Sequence, residues 1–176
     1  MRRLTETSHM PDIKDSPAFD RLDRRVTGWM ADNGLLLMRL ALGLVLLWFG
    51  VLKLFPGGSP AESLAGRTLE ALTFGALPSA TAVPLLGLFE ALIGLGLLIG
   101  VWMRLTLGLL FLHMLGTLTP LVLFPAETFD VFPFVPTLEG QYIIKNAVLI
   151  AGAIILGATV RGGRIAPEPA RSPSAG

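Results

Sequence analysis

An all-α membrane protein, a bundle of four transmembrane helices with both termini cytoplasmic, is the fold class that the sequence predicts, and three observations predict it. The 176 residues are 52% hydrophobic and only 15% charged, with a mean hydropathy of +0.66, a composition foreign to water-soluble globules. The apolar residues gather into four blocks of about twenty, the number a helix rising about 1.5 Å per residue needs to cross a hydrocarbon core about 30 Å thick. Lysine and arginine collect on one side of that layout, so the net charge of +1 matters less than its distribution.

The chain opens with a polar tail, residues 1–33, whose second half predicts an amphipathic helix over 17–33. Ser16 is its expected N-cap, Pro17 its first helical residue and Gly34 the residue just past its end. Phe19, Leu22, Val26, Trp29 and Met30 form one stripe, flanked by Asp20, Arg21, Asp23, Arg24 and Arg25, the pattern of a basic helix lying on an anionic leaflet. Phe19, Leu22, Arg24, Arg25, Val26 and Trp29 are therefore the expected membrane anchor, with a docking helix for a soluble partner as the alternative. The first span is predicted at 35–55. The polar stretch before it and the three spans after it argue against a cleaved signal peptide.

Segment 56–81 follows, with Ser59-Pro-Ala-Glu62 reading as a capping box that opens a short helix through about Leu72. Leu64, Ala65, Leu69 and Leu72 give that helix an apolar side, able to rest on the bundle mouth as a lid. The second and third spans are predicted at 82–102 and 105–124. After the connecting segment 125–141 comes the fourth span, 142–160, so the transmembrane domain covers 34–160. The Pro-, Gly-, Ser- and Arg-rich run 161–176 is expected to be disordered. Arg2, Arg3, Lys14, Arg21, Arg24, Arg25, Arg104, Arg161, Arg164 and Arg171 fall on one side of these spans and only Arg67 on the other, which places 56–81 and 125–141 outside the cytoplasm.

Several chemistries are excluded at once. Without cysteine the chain supplies no disulfide relay, thiolate nucleophile, Cys-ligated iron–sulfur cluster or thioether-linked haem. It has no nucleotide, phosphate-loop or hydrolase signature, and its basic residues mark a membrane face rather than a nucleic-acid reader. His113 is a lone mid-span histidine, since His9 lies in the polar tail, so no metal or haem site is expected.

Ionisable groups at membrane depth are costly unless paired or wet, which makes them the best pointers to function. Counting along alternating spans puts Lys53, Glu90, Glu139, Gln141, Lys145, Asn146, Thr117 and Thr119 in the outer half, with His113 at its floor, and predicts a shared polar cavity built from all four helices. Gln141 and Lys145 lie on one face of the fourth span and Tyr142 and Asn146 on the next. Gly87 and Gly94 near Glu90 let a neighbouring helix approach. Glu90 is expected to be the counter-ion of Lys145, Lys53 or both, whereas Arg39 is expected to snorkel or pack. The same pairs also fit a purely structural role, holding helices in register. The candidate ligand-binding or proton-relay set is therefore Lys53, Glu90, His113, Glu139, Gln141, Tyr142, Lys145 and Asn146.

Three stretches taken together resemble the DoxX-like superfamily and, within it, the YkgB-like group that includes an inner-membrane reactive-chlorine-resistance protein. They are Leu37-Met-Arg39-Leu-Ala-Leu-Gly43 on to Trp48-Phe-Gly50-Val-Leu-Lys53-Leu-Phe-Pro56; Leu86-Gly87-Leu-Phe-Glu90-Ala-Leu-Ile-Gly94 on to Gly100; and Pro120 to Glu127, Phe132-Pro133, then Leu138-Glu-Gly140-Gln-Tyr-Ile-Ile-Lys145-Asn146. The resemblance implies a four-helix bundle in a bacterial inner membrane, tied to membrane redox and oxidant defence. Related members include a quinone-linked thiosulfate-oxidising subunit and a partner of superoxide dismutase and sulfurtransferase. Arg39, Lys53, Glu90, Lys145 and 139–141 fall on family-like positions, while segment 56–81 is shorter than in the chlorine-resistance member.

Three functions follow as expectations. The first is an accessory component of an oxidant-defence or respiratory redox system whose polar cavity binds a quinone headgroup or small oxidisable ligand, with no catalytic signature of its own. The second is a proton- or ion-coupled carrier of a small solute, for which a dimer could enclose the path. The third is a scaffold docking soluble redox enzymes on helix 17–33.

Overall fold

The computed structural model describes residues 17–60 and 62–166. Ser16 as a cap, His9, Arg2, Arg3, Lys14, Arg171 and tail residues 167–176 lie outside the described residues. Seven helices and one small hairpin make up the described chain: α1 (Pro17–Leu52), α2 (Glu62–Leu72), α3 (Ser79–Ile99), α4 (Met103–Leu118), α5 (Pro120–Leu123), α6 (Pro125–Thr128), β1 (Phe129–Val131), β2 (Val135–Pro136) and α7 (Leu138–Thr159). Four stretches are long and apolar enough to cross a membrane: Pro17–Leu52, Ser79–Ile99, Met103–Leu123 and Leu138–Thr159. The all-α, four-span architecture is the one the sequence predicts.

The chain divides into two compact units inside α1, at Leu37 and Met38. In the first, the expected break at Gly34 is absent, and Gly34 stands within the helix. A mid-helix glycine costs only about 1 kcal/mol relative to alanine, and no proline follows to stop the ladder. The Asn33 side chain, moreover, donates to the Trp29 carbonyl at 2.9 Å instead of competing for the main chain. Phe19, Leu22, Val26, Trp29 and Met30 are all exposed, as are the charged residues that flank them.

In the second unit, Met38–Leu52, α3, α4 and α7 close a ring in which each helix touches two neighbours. Gly43 and Gly50 of α1 face Gly94 and Gly87 of α3 so closely that an ideal Cβ on Gly50 would lie 2.5 Å from Ala91 N, and one on Gly87 2.6 Å from the Gly50 carbonyl oxygen. Lipid offers no hydrophobic drive for helices to associate, so close backbone approach at small residues supplies the attraction. Gly96 seats Thr106 of α4 against α3, Gly157 meets Leu107 across α4 and α7, and Gly152 receives Leu42 and Met38. Leu42, Leu46, Ile93, Leu97, Leu110, Met114, Ala153 and Leu156 fill the interior, while Trp48, Leu92, Leu112, Leu115 and Val148 point outward as a lipid-facing girdle.

The helix ends shift from the predicted spans for identifiable reasons. α1 stops at Leu52, before Phe55, because Pro56-Gly57-Gly58 follows and the last amides tighten onto carbonyls three residues back, Lys53 N–H to Gly50 O at 3.2 Å among them. α3 ends where Gly100 takes a left-handed conformation (φ 80°) and donates its N–H to Gly96 O at 2.9 Å, so the apolar block ran past the true stop. α7 begins earlier than predicted, at Leu138, because the Thr137 hydroxyl caps it by accepting from Gly140 N–H at 3.2 Å. The capping box is also rearranged: the Glu62 carboxylate accepts from Gly57 N–H at 2.8 Å, closing the preceding turn.

Candidate functional site

α3 places Glu90 at mid-helix, 4% exposed, with a different partner on each carboxylate oxygen. Oε2 accepts from Lys53 Nζ at 2.6 Å, and Oε1 faces His113 Nε2 at 3.1 Å. Three helical segments thus converge on one carboxylate: the end of α1, the middle of α3 and the inner face of α4. The Lys53, Glu90 and His113 side chains retain only 10%, 6% and 3% of their exposure.

The backbone explains how a lysine reaches that depth. An ideal Cβ on Gly87 would lie 2.8 Å from Lys53 Cβ, so the lysine stem lies across the glycine and runs along α3 to the carboxylate one turn on. Gly50 makes the reciprocal gap, its missing Cβ leaving room for Glu90 Cβ. The Lys53 ammonium also approaches the Phe49 carbonyl at 3.5 Å, and Phe89 sets its ring edge-on to the His113 imidazole at 6.0 Å. Among the described residues every buried side-chain nitrogen and oxygen has a hydrogen-bond partner. A carboxylate between an ammonium and an imidazole can hold negative charge in a low-dielectric interior, and a proton can pass along Nε2, the two carboxylate oxygens and Nζ.

The polar cavity drawn from all four helices is corrected by this geometry. Glu90 pairs with Lys53 and not with Lys145. Lys145 is exposed and rests over the Tyr142 ring at 5.5 Å, and Glu139, Gln141 and Tyr142 are exposed with it on the outer faces of α7. The inward face of α7 is the one that carries Asn146, whose amide donates to the Thr117 hydroxyl at 3.3 Å, joining α7 to α4. Lys145 is one residue, about 100° of helix, away from that face. His113, a member of the candidate proton-relay set placed at the floor of the outer half, is the third titratable side chain of the group. Among the described residues no cluster of His, Asp and Glu is suited to holding a metal.

A second ion pair, which the charge pattern did not disclose, lies at the end of the bundle that carries α2 and the hairpin. Arg67 of α2 makes a two-pronged bond to Glu127 of α6, Nη1 to Oε1 at 2.6 Å and Nη2 to Oε2, and covers the Phe124 ring at 5.4 Å. The hydrogen bonds that Arg67 donates to the Glu127 carboxylate raise the Arg67 pKa above its ordinary value. α2 rests on α3, with Gly66 against Ser79 and Val83 and with Leu64 and Thr68 buried, so this pair ties the α2 lid to the α6 corner. The signal was present in the sequence as a single arginine in an acidic segment, but its partner lies 60 residues away.

The DoxX family model matches residues 34–124, just over half of the chain, a stretch holding Lys53, Glu90 and His113 but not α7. No curated protein and no solved structure matches the chain.

Proposed function

The chain belongs to the DoxX family, and from that premise we propose that it is a component of a membrane redox system in which Lys53, Glu90 and His113 handle the proton of quinone chemistry. The observation that carries this reading is the carboxylate of Glu90, buried at mid-helix and shared between an ammonium and an imidazole. A pair serving only helix register needs two partners, whereas a third titratable group, from a third helix, lengthens the pair into a path. In this reading Lys53, the most exposed of the three, donates a hydrogen bond to a carbonyl oxygen of the quinone headgroup at the membrane surface. When a redox partner in that system withdraws the two electrons of a bound quinol, Glu90 takes one of the two protons released and passes it to His113 deeper in the bundle, the other leaving to water at the surface.

The setting we propose is the one the resemblance implied: a bacterial inner membrane, both termini cytoplasmic, with a YkgB-like role in oxidative or reactive-chlorine defence. In this reading the exposed stripe Phe19, Leu22, Val26 and Trp29, with Arg24 and Arg25, is the surface that residues 17–33 offer to lipid headgroups or to a soluble partner. Glu139, Gln141, Tyr142 and Lys145 take no part in the proton path.

The test is purification from native membranes into lipid discs, followed by extraction and quantification of quinone. Wild-type protein and Lys145→Ala are expected to retain quinone in stoichiometric amounts, and Lys53→Met and Glu90→Gln to lose most of it. Equal retention by all four proteins would contradict the reading.

A further inference from the structure

We propose that the opposite end of the bundle, where the α3–α4 turn meets the end of α7, binds an anionic phospholipid. An open cleft of about 370 Å³ lies there, lined by Trp102, Met103, Arg104, Leu105 and Val160. Four of these side chains are apolar, as an acyl chain requires, and the fifth is a guanidinium, as a phosphodiester requires.

The charges of the second unit are sorted toward the same conclusion. Between residues 38 and 166 every carboxylate, Glu62, Glu70, Glu90, Glu127, Asp130 and Glu139, lies at mid-helix or toward the hairpin end. Arg39, Arg104, Arg161 and Arg164 lie at the turn end without an acidic neighbour in that stretch. Arg39 is already engaged: an ideal Cβ on Gly100 would stand 3.0 Å from its Cζ, which puts the guanidinium over the end of α3, where the last carbonyls concentrate partial negative charge. Arg104 in the cleft, and Arg161 and Arg164 just after its Val160 wall, are exposed, and among the described residues none of the three forms an ion pair. Trp102, 81% exposed, projects from the same turn at the depth where indole rings meet headgroups. A soluble anion has no use for the apolar wall, whereas a lipid phosphate with its acyl chain uses both halves of the site.

The experiment is a thermal melt of the full chain, delipidated in a neutral detergent, with added phosphatidylglycerol, phosphatidylcholine or inorganic phosphate, with native mass spectrometry as a second readout. Phosphatidylglycerol is expected to raise Tm by several degrees and to remain as a bound adduct, with little effect from the other two. Arg104→Gln combined with Arg161→Gln should weaken that lipid's binding about tenfold or more, while Lys145→Gln, the same kind of charge loss on another helix, leaves it intact. An equal shift with phosphatidylcholine, an equal shift with inorganic phosphate, or undiminished phosphatidylglycerol binding by the double variant would each overturn the proposal.

Discussion

Glu90 serves two partners with two oxygens, so deleting the carboxylate leaves the Lys53 ammonium buried without a counter-charge. Glu90→Leu is expected to lower stability by about 3–5 kcal/mol, and Lys53→Met in the same chain to restore most of that loss, because an apolar pair is tolerated where a lone charge is not. Thermal melts of the three proteins in identical lipid check this; a double variant no better than the single one would show that the charges are not coupled. Lys53 and Glu90 were legible in the sequence, since few charged residues interrupt the apolar blocks and depth can be counted along a helix. His113 was legible by depth but not by partner, because pairing depends on which faces two helices present to each other. Lys145 misled for the same reason: one residue of helical rotation separates it from the inward face that Asn146 occupies.

Between elements, glycines decide how closely α1 and α3 pack and therefore whether Lys53 spans the gap. Gly87→Ala places a methyl carbon 2.6 Å from a backbone oxygen and 2.8 Å from Lys53 Cβ, so the helices must separate. The variant should melt lower and lose the Lys53–Glu90 contact. Gly108→Ala meets nothing within 4 Å and should be neutral or stabilising by up to about 1 kcal/mol through helix propensity; equal losses at both sites would contradict this packing account. The α2 lid depends on a side-chain pair: Arg67→Gln should leave the melting temperature of the bundle little changed but speed hydrogen exchange along Glu62–Leu72. Helix existence was readable from block length, because a bilayer leaves the backbone few alternatives. Helix ends were less readable. They turn on local donors such as the Thr137 hydroxyl, and on Gly34, whose small helical penalty the flanking residues outweigh.

For the whole molecule, the four spans and their order follow from where the apolar blocks fall along the sequence, and an even number of spans with arginine-rich ends predicts that both termini face the cytoplasm. Reporter fusions at the two ends should give the same, cytoplasmic, signal. The lid's partner and the pairing of His113 with Glu90 belong to tertiary geometry, where contacts join residues far apart in the chain, and no periodicity reports them. In the proposed function the carboxylate of Glu90 carries the proton of quinone chemistry. Infrared difference spectroscopy tests it most directly, recorded on protein in native lipid while the bound quinone is cycled electrochemically. A carboxyl signal is expected in the wild type, absent in Glu90→Gln and shifted in His113→Asn. A wild-type spectrum without a carboxyl signal, or one whose signal survives in Glu90→Gln, would contradict it.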